Sequence, residues 1–218
     1  MVDTVSERKG RHAAQQHVAL PPATDLYNIS SLLSEDERMV RDTVREFVRE
    51  RVLPTIGEHF EAGTFPRELI PEIAQLGLLG MHLEGYECAG MSAVQYGLAC
   101  QELEFGDSGL RSFVSVQGSL AMFPIWAYGS EEQKQKYLPK MASGELRAAF
   151  SLSEPELGSD VQAIKTSAKK LDDGAYEING QKMWVTNGLM SSLVFVLVKT
   201  DPDAEPRHKG FTCFIAEQ

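Results

Sequence analysis

The sequence predicts an α+β fold, with an N-terminal all-helical domain followed by an antiparallel β domain. Apolar residues recur at helical spacing from Ser34 to about Ala142, and no strand-like alternation occurs there. After Gly144 the period shifts towards two, and turn residues separate the apolar runs. Helices and strands that are segregated along the chain in this way are typical of α+β proteins.

Composition sets limits on the class of protein. The 218 residues are 43% hydrophobic and 24% charged, which suits one large or two smaller globular domains. A formal net charge of −10 argues against general attraction to nucleic acid or to an anionic membrane. No window approaches the apolar length of a membrane span. We expect a mobile arm at 1–27, a helical domain at 28–147 and a β domain at 148–218.

The first helix has a clear beginning and end. Ser34 and Glu37 have the spacing of a capping box, and Pro54 ends the run. One helical face is apolar and consists of Val40, Val44, Phe47 and Val48. The same reasoning predicts further helices, which cover Phe65–Gly80, Ser92 to about Phe105, Gly109–Phe123 and a segment capped by Ser130.

Strands are predicted from the apolar runs of the second half. Ala148–Phe150 reads as the end of a buried strand, Leu193–Val198 as a central strand and Gly210–Ala216 as another. Between them, an Asp-Asp-Gly turn and the Asn179-Gly180 dipeptide predict two hairpins, because an Asn-Gly pair suits a type I′ turn. The second hairpin would place a strand over residues 181–185.

Two polar clusters stand at the ends of predicted strands, "FSLSEPELGSD" and "KMWVTNG". In each, a hydroxyl (Ser153 or Thr186) lies beside a large apolar or aromatic residue, which suits a flat heteroaromatic ring. For any one residue the plain alternative stays open: the hydroxyls cap strand ends and Trp184 belongs to the core. Glu154 and Asp160 are interpreted as loop-fixing groups rather than as catalytic acids.

These two clusters, in this order and spacing, resemble the signatures of the acyl-CoA dehydrogenase flavoprotein family. The resemblance runs from about Asn28 to Gln218 and includes "AYGSEEQKQKYLPKMASGE". It implies bound FAD, with the Ser153 hydroxyl at the flavin O2/N1 edge, the Thr186 hydroxyl at N5 and Trp184 flanking the ring. Ser159 would lie near the acyl-CoA chain. The implied cofactor-binding residues are Phe150, Leu152, Ser153, Trp184, Val185 and Thr186.

A third stretch is similar to glutaryl-CoA dehydrogenases, "QELEFGDSGLRSFVSVQGSL". There, an arginine and a serine four residues later bind the far carboxylate of the glutaryl chain, which here implies Arg111 and Ser115. Their spacing places both on one helical face, and a guanidinium gives fork-shaped bonds to a carboxylate. Glu104 matches an acid of the same site. The alternative is that Arg111 is an ordinary arginine on a helix surface.

The reaction implied by the resemblance is FAD-dependent α,β-dehydrogenation of an acyl-CoA thioester, in the glutaryl case with loss of CO2 to give crotonyl-CoA. Electrons would pass to electron-transfer flavoprotein, and the complete family member would be a homotetramer. No residue of 1–218 matches the catalytic base. We expect that base in a C-terminal helical domain that this sequence lacks, so the chain alone is expected to be inactive.

Alternatives remain open at this point. The chain could be a fragment of such an enzyme, a subunit completed by another chain, or a non-catalytic acyl-CoA-binding or scaffold protein. The cysteines, three in number and far apart, are expected to be reduced and to bind no metal. This indicates a reducing compartment, and we expect a cytoplasmic protein.

Overall fold

The computed structural model of the protein describes residues 28–217, so the predicted arm at 1–27 lies outside the described residues. A single 3₁₀ turn, Ile29–Leu32, precedes the main helical region. The α-helices are α1 (Glu35–Phe47), α2 (Ile56–Ala62), α3 (Ile70–Gln75), α4 (Ala93–Gly106), α5 (Ser108–Ser115), α6 (Phe123–Tyr128) and α7 (Glu131–Ala142).

The predicted caps of two helices are confirmed. Ser92 accepts a hydrogen bond from the backbone of Gln95, whose side chain bonds back to the Ser92 N–H, and α4 begins there. Ser130 and Gln133 form the same reciprocal pair at the start of α7. Each box satisfies two backbone donors that a helix start otherwise leaves unpaired.

The second and fourth predicted helices are wrong in extent. Instead of one helix over 65–80, α3 ends at Gln75, because Gly77 and Gly80 adopt φ values of +71° and +70° that cannot continue a helix. The predicted helix over 109–123 is interrupted by a π-helical segment, Val116–Met122. This segment brings Gly118 so close to the Gly80 backbone that a Cβ there would lie 3.1 Å from the Gly80 nitrogen.

The strands are β1 (Ala148–Ser151), β2 (Ser167–Lys170), β3 (Tyr176–Asn179), β4 (Leu193–Lys199) and β5 (Phe211–Glu217), and they form one sheet. The expectation of purely antiparallel strands is corrected, because the sheet is mixed. β5 pairs antiparallel along all of β4, whereas β1 and β2 both pair with β4 in parallel. A parallel pair needs a long crossover, and here the crossover carries the β2–β3 hairpin and both polar clusters.

The first predicted hairpin is confirmed and the second is wrong. β2 and β3 pair antiparallel around a turn in which Gly174 has a φ of +89°. After Asn179, however, residues 181–185 form no strand. Gly180 is required for close approach, since a Cβ at that position would lie 2.4 Å from the Thr166 hydroxyl oxygen.

Two apolar cores stabilise these layers. One lies among α1, α3, α4 and α5 and includes Phe113, Leu103 and Val48, all nearly inaccessible to solvent. The other joins helices to sheet, since Leu138 of α7 packs with Phe195 of β4. Among residues 28–217, no helix has the length and apolar character needed to cross a membrane.

One buried amide links the helical region to the sheet. The Gln117 side chain is fully buried and donates to the carbonyl oxygens of Met141 (3.1 Å) and Leu146 (2.7 Å). Its own oxygen accepts from the N–H of Ala148 (2.9 Å), the first residue of β1. Gln117 therefore satisfies backbone groups at the end of α7, in the following loop and at the start of the sheet.

Candidate functional site

The two polar clusters lie against each other. The N–H of Met183 donates to the carbonyl oxygen of Ser153 over 3.0 Å. The ammonium of Lys182 donates to the carbonyl oxygen of Leu152 over 2.9 Å. Leu152 and Ser153 are therefore held directly beside the segment that carries Trp184, although 30 positions separate Leu152 from Lys182.

A buried carboxylate holds the first cluster in place. Glu154 accepts hydrogen bonds from the backbone N–H groups of Lys165 (2.7 Å) and Thr166 (2.9 Å), and from the Lys182 ammonium (3.0 Å). The side chains of Glu154 and Lys182 are only 5% and 9% exposed. Burial on its own would raise the pKa of Glu154, but hydrogen bonds from Thr166, Lys165 and Lys182 outweigh it and lower the pKa to about 2. These contacts agree with the predicted loop-fixing role.

The low pKa of Glu154 has a consequence for acid stability. Since the folded-state pKa lies below the ordinary 4.5, the stability that Glu154 contributes is complete above that value and is lost as the pH falls towards about 2. We expect Glu154→Gln to reduce the unfolding free energy at neutral pH, and its difference from the parent to shrink below about pH 4.5. Urea unfolding across this range measures that difference.

The matched control for this prediction is Glu156→Gln. Glu156 lies on the same loop and pairs with Lys165, but both side chains are mostly exposed, so water and salt screen their interaction. A difference between Glu154→Gln and the parent that stays constant from neutral to acid pH would contradict the prediction.

The second cluster forms a tight, strained turn. Trp184 has a φ of +57° and Asn187 a φ of +68°, in the left-handed region that residues with a Cβ seldom adopt. Asn187 tolerates this conformation and donates its side-chain amide to the carbonyl oxygen of Ala148 (3.2 Å). Trp184 has no such local compensation, and its side chain is 85% exposed. A strained, exposed indole suggests a ligand-facing role rather than a packing role.

This turn forms one wall of a cavity of about 800 Å³. Val185 and Thr186 line it from the turn, while Gly109 and Ser112 line it from α5. The other lining residues lie before α3 and in the turn and the residues that follow it: Gly63, Thr64, Phe65, Arg67, Asn187, Gly188, Leu189 and Met190. A cavity of this size between the helices and the turn can hold a drug-sized ligand or part of a larger cofactor.

The remaining predicted cofactor and acyl-chain residues occupy different surroundings. Phe150 is half-buried in β1, opposite Phe195 of β4, and packs against the core shared with α7. Ser159 is exposed on the loop that follows β1. Only Val185 and Thr186 of the predicted set line the cavity in the described part of the chain.

The predicted carboxylate-binding group is brought together on α4 and α5. The Arg111 Nε donates to Glu104 over 2.5 Å, and Nη1 reaches the Ser115 hydroxyl over 3.4 Å. Ser108 also donates to Glu104 over 2.6 Å. Hydrogen bonds from Ser108 and Arg111 lower the pKa of Glu104, which therefore stays ionised beside the guanidinium.

Arg111 is partly exposed on α5. Its side chain is 34% exposed, because α5 is a short helix whose apolar side is turned inward through Leu110, Phe113 and Val114. The guanidinium keeps N–H groups beyond those used by Glu104 and Ser115, so it can still donate to an anion.

The side chains around the turn and the cavity suit a planar heteroaromatic group better than a metal ion. The Ser153 backbone lies beside the strained turn with its exposed indole, while Thr186 lines the cavity, and hydroxyl and aromatic side chains can pair with the edge and face of a flat ring. Within residues 28–217, no group of His, Cys, Asp and Glu side chains is arranged to hold a metal ion. The cysteines Cys88, Cys100 and Cys213 are free.

Sequence reasoning missed Lys182. It stands in "KMWVTNG", a segment interpreted as a strand, and strand alternation assigns a lysine no specific partner. A signal was available, because the strand interpretation left the long cationic side chain of Lys182 beside Met183 with no acid close by in the sequence. The carboxylate that pairs with it, Glu154, belongs to the other cluster.

Comparisons with known proteins agree along nearly the whole described chain. The sequence profile of the acyl-CoA dehydrogenase N-terminal domain matches residues 34–145, and that of the acyl-CoA dehydrogenase middle domain matches residues 149–218. Together they leave only the first 33 residues and a short connection unmatched.

Solved structures match over the same region. A glutaryl-CoA dehydrogenase from Mycobacterium smegmatis, in complex with FADH2, is 48% identical with a TM-score of 0.82, over 88% of this chain and 48% of that one. A butyryl-CoA dehydrogenase from Megasphaera elsdenii is 34% identical with a TM-score of 0.78, over 85% of this chain and 49% of that one. A structure described as an electron transferring flavoprotein of Acidaminococcus fermentans is 36% identical with a TM-score of 0.79. The match covers 85% of this chain and 48% of that one. This chain thus spans about half the length of the structures it matches.

Proposed function

The chain belongs to the acyl-CoA dehydrogenase family, and we propose that it provides the N-terminal and middle domains of an FAD-dependent acyl-CoA dehydrogenase. The domains are proposed to cover 28–147 and 148–218, which the profile matches ending at 145 and starting at 149 support. The catalytic carboxylate base is proposed to come from outside these residues, because none of them matches it.

The observation that carries the cofactor proposal is the contact between the two polar clusters. Ser153 and Trp184 come from distant parts of the chain, yet the Ser153 carbonyl oxygen accepts from the neighbour of Trp184. We propose that the Leu152 backbone and the Ser153 hydroxyl bond the pyrimidine edge of FAD, with Phe150 nearby. Trp184 would flank the ring, and Val185 and the Thr186 hydroxyl would lie at N5.

When bound, FAD supplies the acceptor for the hydride that leaves the β-carbon of the substrate. The residues of this chain would orient the ring and exclude water from one face of it. Ser159 is proposed to lie near the acyl-CoA chain, and hydrogen bonds to the thioester oxygen would stabilise the developing enolate.

Glutaryl-CoA is the proposed substrate, with oxidative decarboxylation to crotonyl-CoA in the complete enzyme. Glu104 and Ser115 hold the Arg111 guanidinium in a defined orientation on α5, and a carboxylate can use its remaining N–H groups. The 48% identity to a glutaryl-CoA dehydrogenase supports this choice over the butyryl-CoA dehydrogenase at 34%. Electron-transfer flavoprotein is the proposed acceptor, a homotetramer the proposed assembly and the cytoplasm the proposed location.

A visible absorption spectrum tests this function. Protein titrated with FAD should turn yellow and retain the flavin through gel filtration, and glutaryl-CoA should bleach it once the completing domain or chain is present. A colourless protein that nevertheless binds CoA thioesters would instead support the alternative, a non-catalytic acyl-CoA-binding protein. Bleaching only after a second chain is added would identify a subunit of a split enzyme.

Replacing Trp184 by asparagine should weaken FAD binding without destabilising the fold. The indole is 85% exposed and contributes little to packing, while asparagine accepts the positive φ more readily than tryptophan. We therefore expect an unchanged or slightly higher Tm, but an FAD affinity that falls about tenfold, since stacking on an aromatic ring contributes about 0.5–1.5 kcal/mol beyond the buried area. Fluorescence titration with FAD measures the affinity.

Tyr128→Asn provides the matched control, because Tyr128 is also 85% exposed but lies at the end of α6. It should leave FAD affinity unchanged. Equal loss of FAD affinity in both variants would contradict a specific role for Trp184.

A further inference from the structure

We propose that Lys182 is a positioning residue that fixes the orientation of Ser153 at the cofactor edge. The inference rests on the proposed function, because it concerns the same residues that are expected to meet the flavin. Lys182 does not itself touch the cofactor in this proposal. It acts through the Leu152 carbonyl and through Glu154.

The contacts of Lys182 converge on the peptide groups around Ser153. Its ammonium donates to the Leu152 carbonyl oxygen over 2.9 Å and to Glu154 over 3.0 Å. The next residue, Met183, donates its N–H to the Ser153 carbonyl oxygen over 3.0 Å. One short stretch, Lys182–Met183, therefore holds both carbonyl groups that flank the Ser153 Cα.

Peptide planarity turns these two contacts into a constraint on the Ser153 side chain. In a planar trans peptide, the C=O and the following N–H point in opposite directions. Holding the Leu152 carbonyl therefore turns the Ser153 N–H away from Lys182. With the planes on both sides of the Ser153 Cα fixed, the direction of its Cα–Cβ bond is fixed as well, and with it the region that the hydroxyl can reach.

The contact between Lys182 and Glu154 anchors this arrangement to the sheet. Glu154 accepts from Lys165 and Thr166, which lead directly into β2. An ion pair that is this strongly buried carries a desolvation cost that apolar residues would avoid, so stability alone does not explain it. A geometric role does, because the pair joins the loop after β1, the start of β2 and the turn that carries Trp184.

The pairing also argues against a purely electrostatic role for Lys182. Its charge is balanced by Glu154 at 3.0 Å, so the pair is close to neutral when viewed from a distance. The effect on a bound flavin should therefore come from the placement of Ser153, and it should appear as altered hydrogen bonding at the ring edge.

Lys182→Met tests the proposal, with Lys165→Met as the matched control, since Lys165 pairs with Glu156 at the exposed surface of the same region. Without flavin, hydrogen exchange at the Met183 amide should quicken about tenfold in Lys182→Met, because local opening becomes easier when the loop loses a charge-assisted hydrogen bond. The Phe195 amide in β4 should keep its protection. With flavin, FAD affinity should fall about tenfold, and the visible maxima of the bound flavin should shift.

The outcomes separate this inference from the proposed function. Parent protein that binds no FAD overturns the proposed function, while exchange at Met183 still decides whether Lys182 orders the loop. A loosened Met183 amide together with parental FAD affinity and an unshifted flavin spectrum overturns the positioning role. So does an effect of Lys165→Met equal to that of Lys182→Met.

A second variant decides the question if Lys182→Met also loses protection at Phe195 and so fails to fold. Glu154→Gln keeps one acceptor oxygen, which can serve the N–H of Lys165 or that of Thr166 but not both, and it removes the charge that holds Lys182. It should loosen the Met183 amide, weaken FAD binding and shift the flavin spectrum in the same direction, by a smaller factor. Parental values for all three overturn the proposal.

Discussion

Replacing Gln117 by leucine should destabilise the protein strongly, by about 2–6 kcal/mol. The side chain is fully buried and serves the carbonyl oxygens of Met141 and Leu146 and the N–H of Ala148. Leucine has a similar volume but no polar atoms, so the Leu146 carbonyl oxygen and the Ala148 N–H would lose this partner, whereas the Met141 carbonyl oxygen still accepts from the Gly144 N–H over 3.2 Å. Each unsatisfied buried group costs about 1–3 kcal/mol.

Urea unfolding, followed by circular dichroism, measures this loss. Gln135→Leu is the matched control, because Gln135 is exposed on α7 and bonds only Glu131, so its replacement should change stability by less than about 0.5 kcal/mol. A loss below about 1 kcal/mol for Gln117→Leu would mean that the connection between helices and sheet tolerates an apolar side chain there.

In the assembled holoenzyme, Arg111→Ala should lower kcat/KM for glutaryl-CoA about a hundredfold, while butyryl-CoA turnover changes little. Glutaryl-CoA carries a terminal carboxylate and butyryl-CoA does not. A charge-assisted hydrogen bond contributes about 1.5–3 kcal/mol, and a guanidinium can offer two to one carboxylate. Steady-state kinetics with both thioesters measure the ratio of the two kcat/KM values.

Arg51→Ala controls for the loss of an exposed arginine. Arg51 forms a two-point contact with Glu72 at 2.8 Å in the helical region, outside the proposed substrate site. Its replacement should affect both thioesters alike and weakly. Equal damage to glutaryl-CoA and butyryl-CoA turnover in Arg111→Ala would show that Arg111 supports the fold rather than recognising the carboxylate.

Local sequence patterns correctly predicted the features that depend on contacts between residues a few positions apart. The caps at Ser92 and Ser130 were confirmed because a capping box involves only residues three positions apart. The juxtaposition of Arg111 and Ser115 was also accessible, since residues four positions apart share a helical face. The turn before Ala175 belongs to the same class, because an Asp-Asp-Gly sequence forms it without distant partners.

The errors have a common cause in distant contacts. Asn179-Gly180 has the composition of a hairpin turn, but Gly180 is there because Thr166 comes too close for any side chain. The predicted strand after it is absent, since Lys182 bonds the loop after β1 instead of a neighbouring strand. The parallel pairing of β1 with β4 likewise depends on a crossover that no short pattern reports.

The sequence by itself determined the order of helices and strands, the family and the two polar clusters that carry the proposed chemistry. Only the tertiary structure decided that Glu154 pairs with Lys182, that Gln117 connects α7 to β1, and that Trp184 stands exposed on a strained turn. The physical reason is the sequence separation over which each interaction acts. Capping and helical periodicity act over a few residues, whereas these pairings unite groups far apart in the chain, and burial makes them selective because an unpaired polar group inside the protein is costly.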